Sequence, residues 1–141
     1  MITYLNKGKN EHSAGILVVG NNRKIVSLNR TLIDMWQIPK GIVGLQDDDI
    51  AIDFVSQHFE SSKAFIREVR ELYAQPEIEI HDTISLRNGR IFERHSMPQW
   101  LKDENVGRIW IFREIVKPEI PQILSTNENQ IVNFHRFYQW N

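Results

Sequence analysis

Asn88-Gly89 separates two runs in which apolar and polar residues alternate, and no other feature limits the fold of this chain as tightly. An Asn-Gly pair adopts the left-handed backbone of tight reversals, so it predicts a β-hairpin. Glu77 to Arg87 alternates around Ile78, Ile80, Ile84 and Leu86, and Arg90 to Met97 is the return strand. A two-residue loop sets Arg87 opposite Arg90, Leu86 opposite Ile91 and Ser85 opposite Phe92. One face of the hairpin would then carry Ile84, Leu86, Ile91, Glu93, His95 and Met97, and the other Thr83, Ser85, Phe92, Arg94 and Ser96.

The flanking segments extend the pattern. The apolar run Ala14 to Gly20 and the strand Lys24 to Leu28 are joined at Asn21-Asn22 and predict a second hairpin. Asn29 caps a helix whose Leu32, Ile33 and Trp36 share a face, and Pro39 ends it. Gly41 to Glu60 is less regular. Asp47-Asp48-Asp49 reads as a solvated turn and helix cap, lacking the ligand register of a calcium loop, and Phe54, Val55 and Phe59 suggest short helical turns. Ser61 to Tyr73 is the clearest helix, with Phe65, Val69, Leu72 and Tyr73 along one stripe. Pro98 stops its strand or marks an edge, a polar loop follows at Lys102 to Asn105, and a last strand runs Val106 to Val116. Strands at both ends with helices between them predict an α+β fold with an antiparallel sheet.

Composition removes several function classes. The 141 residues suffice for one ordinary domain, and 17 basic against 18 acidic residues leave no cationic surplus for nucleic acid. The longest apolar stretch, Ile16 to Val19, is far too short to span a membrane. The first residues hold no segment of signal-peptide length, so a cytoplasmic location is expected. With no cysteine there is no thiolate nucleophile, disulfide or cysteine-ligated metal. The five histidines are scattered, and no glycine-rich or nucleophile-elbow motif occurs. The chain is therefore not expected to be an enzyme. A small α+β enzyme using Glu93 and His95 is the weakest of the alternatives.

After Pro118 the character changes. Residues 118–141 form a C-terminal extension in which Ser125 to Glu128 resembles a capping box, followed by Ile131, Phe134 and Tyr138 on one helical face. A short amphipathic helix is predicted there. With Phe137 and Trp140 it carries too much apolar surface for a solvated tail. It is expected to shield the sheet or join a homodimer interface.

Four stretches in this order resemble the PAS domain of bacterial sensor proteins. Gly15-Ile-Leu-Val-Val-Gly-Asn-Asn-Arg-Lys-Ile-Val-Ser-Leu-Asn29 is similar to the opening hairpin and its helix-starting asparagine. Leu32-Ile-Asp-Met-Trp-Gln-Ile-Pro39 resembles the helix and exit that follow. Leu86-Arg-Asn-Gly-Arg-Ile-Phe-Glu-Arg-His-Ser-Met-Pro98 resembles the central hairpin, with Asn88 where the family usually has Asp. Gly107-Arg-Ile-Trp-Ile-Phe-Arg-Glu-Ile115 resembles the closing strand, with Glu114-Ile115-Val116 in place of Asp-Ile-Thr. The resemblance covers residues 11–117.

It implies a PAS-like five-stranded antiparallel sheet with helices packed on one face. It also implies a signal-transduction sensor that binds a small ligand, dimerises, or both, to control an output domain such as a histidine kinase or diguanylate cyclase. Too few residues follow Lys117 for an effector, which is therefore expected elsewhere in cis or in trans. A ligand-free protein-interaction and dimerisation module is the alternative. Haem-binding members carry a ligating histidine on the longer helix, which residues 61–74 lack, and light-sensing flavin members carry a cysteine. Neither haem nor a cysteinyl-flavin adduct is expected. Arg94, Trp36, Phe54 and Phe92 are the candidate ligand-binding residues. A cation such as Arg94 among apolar neighbours needs a carboxylate of this chain or an anionic ligand.

Overall fold

The computed structural model describes residues 13–116. The predicted C-terminal helix lies outside the described residues. Strands β1 (Gly15–Gly20) and β2 (Ile25–Leu28) lead into four helices, α1 (Arg30–Trp36), α2 (Lys40–Leu45), α3 (Asp48–Ser56) and α4 (Ser62–Tyr73). Strands β3 (Ile80–Ser85), β4 (Ile91–Leu101) and β5 (Glu104–Glu114) follow. They form one five-stranded sheet, ordered β2-β1-β5-β4-β3, with every neighbouring pair antiparallel. The α+β sheet with helices on one face is as expected.

Side-chain caps start the helices where the sequence places them. The Asn29 Oδ1 accepts from the backbone of Leu32 and of Ile16, both at 3.0 Å, and its Nδ2 donates to Ala14 O at 3.0 Å. One side chain thus caps α1 and fastens it to β1. Asp47 caps α3, and Ser61 caps α4 by accepting from Ala64 N at 3.1 Å. The segment read as irregular holds two true helices, α2 and α3. The first hairpin turns with Arg23, rather than an asparagine, in the left-handed region at φ 67°.

The central hairpin departs from its expected register by one residue. Leu86 N donates to Arg90 O at 2.8 Å and Gly89 N to Leu86 O at 2.9 Å, with Gly89 at φ +93°. Arg87, Asn88 and Gly89 therefore form a three-residue loop, in which a left-handed glycine follows the turn. Ile84 now faces Phe92 and Asp82 faces Arg94. The expected register would have put Thr83 against Arg94 and turned Ile84 away from the core. A one-residue slip exchanges faces, so burial of Ile84 and pairing of Arg94 choose the longer loop. The tight two-residue reversal occurs at Lys102-Asp103, both left-handed at φ 49° and 72°, where a longer polar loop was expected. Strand β4 runs through Pro98, beyond its last partner on β3, Ser96 with Ile80. Pro98 marks an edge.

The core lies between the helices and the inner sheet face. Trp36 is its centre, with ring centroids 5.1 Å from Phe92, 5.3 Å from Phe112 and 6.1 Å from Phe59. Val19, Leu32, Met35, Ile38, Val69, Leu72, Leu86 and Trp110 complete it. The outer sheet face carries Ile16, Val18, Ile91, Met97, Ile109 and Ile111, all half-buried.

Candidate functional site

Between the sheet and helices α1–α4 lies a cavity of about 60 Å³. Its wall is almost entirely apolar because each element turns its apolar stripe inward. Leu17 comes from β1, Leu32 and Trp36 from α1, Ile42 from α2, Ala51, Ile52 and Val55 from α3, Phe65 and Val69 from α4, and Trp110 and Phe112 from β5. Three polar side chains interrupt the wall: Asp48, Tyr73 and Arg94.

Asp48 is only 1% exposed, although the acidic run around it reads as a solvated turn. Its position explains the difference. Asp48, Ala51, Ile52 and Val55 recur at helical spacing on one face of α3, and all four line the cavity. Asp47 and Asp49 point the other way, as cap and surface residue. The Tyr73 hydroxyl donates to Asp48 Oδ2 at 2.9 Å, Arg23 Nη2 donates to the same oxygen at 3.2 Å, and Trp110 Nε1 donates to the Tyr73 oxygen at 3.1 Å. The Arg23 guanidinium also lies 3.8 Å from the centre of the Tyr73 ring. Burial pushes the Asp48 carboxyl upward, against the opposing pull of Tyr73 and Arg23. Burial and the nearby Asp48 charge push the Tyr73 phenol well above its ordinary value.

Arg94, 2% exposed, also lines the cavity. Its Nε and Nη2 grip Asp82 at 2.9 and 2.7 Å, and its Nη1 and Nη2 reach Glu68 at 3.4 and 3.3 Å. Desolvation lowers the basicity of this guanidinium, and Asp82 and Glu68 more than restore it. Arg94, Val69 and Trp110 also line a groove between α4 and β3.

Of the residues singled out from sequence, Arg94 and Trp36 share the cavity wall. Phe92 is fully buried behind Trp36, and Phe54 packs edge-on against His58 at 5.8 Å; neither belongs to the wall. Glu93 and His95 do not pair with each other. Glu93 Oε2 meets His81 Nε2 at 2.7 Å, and His95 Nε2 meets Glu79 Oε2 at 2.7 Å, on the outer face. Each instead meets a diagonal neighbour across the hairpin, where His81 lies directly opposite His95 and Thr83 opposite Glu93. Asp48, Tyr73 and Trp110 form a hydrogen-bonded polar site that the sequence pattern alone does not single out. The period that places Asp48 with Ala51 and Val55 was the available signal. Among the described residues no cluster of three or more acidic or histidine side chains is arranged to hold a metal ion. No described helix is long and apolar enough to cross a membrane.

Neither a protein-family model nor a curated protein matches the sequence. Solved structures do match its fold. A histidine-kinase domain from Haloarcula marismortui is similar at TM-score 0.54 and 10% identity, over 74% of this chain and 91% of that one. A sensory box sensor histidine kinase from Vibrio cholerae is similar at TM-score 0.53 and 9% identity, over 75% and 84%. The PAS domain of Bordetella pertussis BvgS is similar at TM-score 0.52 and 14% identity, over 87% and 89%.

Proposed function

We propose that this chain, a PAS-fold domain, is a sensory module of signal transduction that takes a small molecule into its interior cavity. Ligand occupancy then controls an effector domain, joined in cis or recruited in trans, with a histidine kinase or diguanylate cyclase as the output. The cavity itself carries this reading. A fold of this size has enough apolar residues to close its core, yet this core leaves an apolar space walled by the sheet and all four helices and edged by three polar groups. The domain performs no catalysis of its own in this reading, and it works in the cytoplasm.

The homodimer belongs to the same proposal. The outer sheet face presents Ile16, Val18, Ile109, Ile111 and Met97, an apolar band suited to a second copy or to the chain's own C-terminal extension. That band also supports the second reading, a ligand-free interaction module. Native mass spectrometry of the purified chain, with an absorption spectrum, separates the two. A non-covalent adduct present in the wild type and missing from the cavity-filling variant Ala51→Leu supports the sensor. A dimer without an adduct, unaltered by that variant, supports the interaction module.

A further inference from the structure

The three polar side chains of the cavity wall are each answered from within the chain. Asp48 accepts from the Tyr73 hydroxyl and from Arg23, and the Tyr73 oxygen accepts in turn from Trp110. Arg94 directs Nε, Nη1 and Nη2 at Asp82 and Glu68. Among the described residues, the one buried side-chain nitrogen or oxygen without a partner is Arg23 Nε, and Arg23 does not line the cavity. The wall therefore holds no buried side-chain polar atom in need of a ligand, and Ala51, Ile52, Val55 and Val69 offer it hydrocarbon alone. Resting on the reading of the cavity as the sensory input, we infer that its ligand is a neutral apolar molecule of about two or three non-hydrogen atoms, held by burial and dispersion without a hydrogen bond to the protein.

Each competing class loses on desolvation. An alcohol gives up its hydrogen bonds to water on entry, and the wall has no vacant buried side-chain partner to replace them. An ammonium brings several donors; even with one received by Asp48, the others would face hydrocarbon. An anion would meet the Asp48 carboxylate, while the Arg94 guanidinium is already held by two carboxylates of its own. Water resides in a cavity when about two to four polar groups receive it, so this wall favours an apolar occupant over solvent. Size sets the upper limit. A dry apolar cavity of roughly 150 Å³ holds benzene, so 60 Å³ admits about two or three non-hydrogen atoms.

The test is a methyl NMR titration of the full chain with five probes: ethane, methanol, methylammonium, formate and cyclohexane. Ethane should shift the signals of Ile52, Val55 and Val69 with a dissociation constant about tenfold below that of methanol. Methylammonium, formate and cyclohexane should leave those signals in place. In Ala51→Leu, which fills the cavity, the ethane shifts should disappear. Methanol binding as tightly as ethane, or tightest binding by either ion, overturns the apolar class and leaves the cavity a ligand site. Cyclohexane binding more tightly than ethane overturns the inference through its size limit, and it too leaves the sensory reading standing. Ethane shifts that survive in a folded Ala51→Leu variant overturn the assignment of the ligand to this cavity. Shifts from none of the probes overturn both this inference and the sensory reading. Because all five probes are compared on the wild type, an unfolded Ala51→Leu variant does not shelter the inference.

Discussion

Arg94 and Asp82 face each other across β3 and β4, and the burial of one partner but not the other decides what each contributes. Arg94 is 2% exposed, whereas the side chains of Asp82 and Glu68 are 45% and 56% exposed. Removing a carboxylate strands a buried cation; removing the cation leaves carboxylates that water can reach. Asp82→Asn should therefore cost about 3 kcal/mol, and Arg94→Met should cost less. Glu68→Gln, at longer range and more exposed, should change stability by no more than about 1 kcal/mol. Denaturant unfolding of the three variants checks that order. Tyr73 gives a second residue-scale prediction. Its folded pKa is raised above the unfolded value of 10.0, so its contribution is complete below pH 10.0 and is lost as pH rises through the folded value. Tyr73→Phe should remove that alkaline loss and cost about 1 kcal/mol at neutral pH, through the bond to Asp48. Melting curves between neutral pH and pH 11 would show it. Asp48 has the opposite consequence at neutral pH: a carboxyl raised by burial is a net burden while ionised, relieved as pH falls toward its folded value.

At the scale of elements, local chemistry was legible and long-range choice was not. Asn29, Asp47 and Ser61 announce helix starts because a cap needs only the side chain and the next three residues. Asn88-Gly89 announces a reversal for the same reason. The loop length is decided elsewhere, by Phe92 needing Ile84 and Arg94 needing Asp82 across the sheet. Lys102-Asp103 carries no comparable local signal, and the Leu101–Glu104 pairing closes it. The candidate site divides along the same line. Arg94 stands out as a cation on the strand face that also carries Phe92, whereas Asp48 hides in an acidic run whose neighbours are solvated. Gly107 offers a test of how strands β1 and β5 are joined. At φ +151°, an added Cβ would sit 2.1 Å from Val19 O. Gly107→Ala should thus break the β1–β5 register at that end and lower stability by about 2 kcal/mol, read from thermal unfolding.

Across the whole molecule, two surfaces divide the work: an inner face that closes on a small cavity and an outer face that offers an apolar band. If the band is a dimer interface, Ile111→Asp, at its centre, should turn the dimer into a monomer in sedimentation experiments while leaving the inner core folded. Truncation after Pro118 should shift the same equilibrium or lower stability, since residues 118–141 carry apolar surface in need of cover. In the sensory reading the cavity is the input, and Trp110 and Phe112 carry its wall onto β5, which leaves the sheet at Glu114. Methyl NMR of the full chain in xenon-saturated buffer tests it most directly, because xenon enters dry apolar cavities whatever the polar chemistry at their edge. The account predicts shifts at Ile52, Val55 and Val69 together with Ile115 and Val116, and the loss of both sets in Ala51→Leu. Xenon shifts confined to the outer-face methyls of Ile109 and Ile111, with the cavity methyls unmoved, would contradict it.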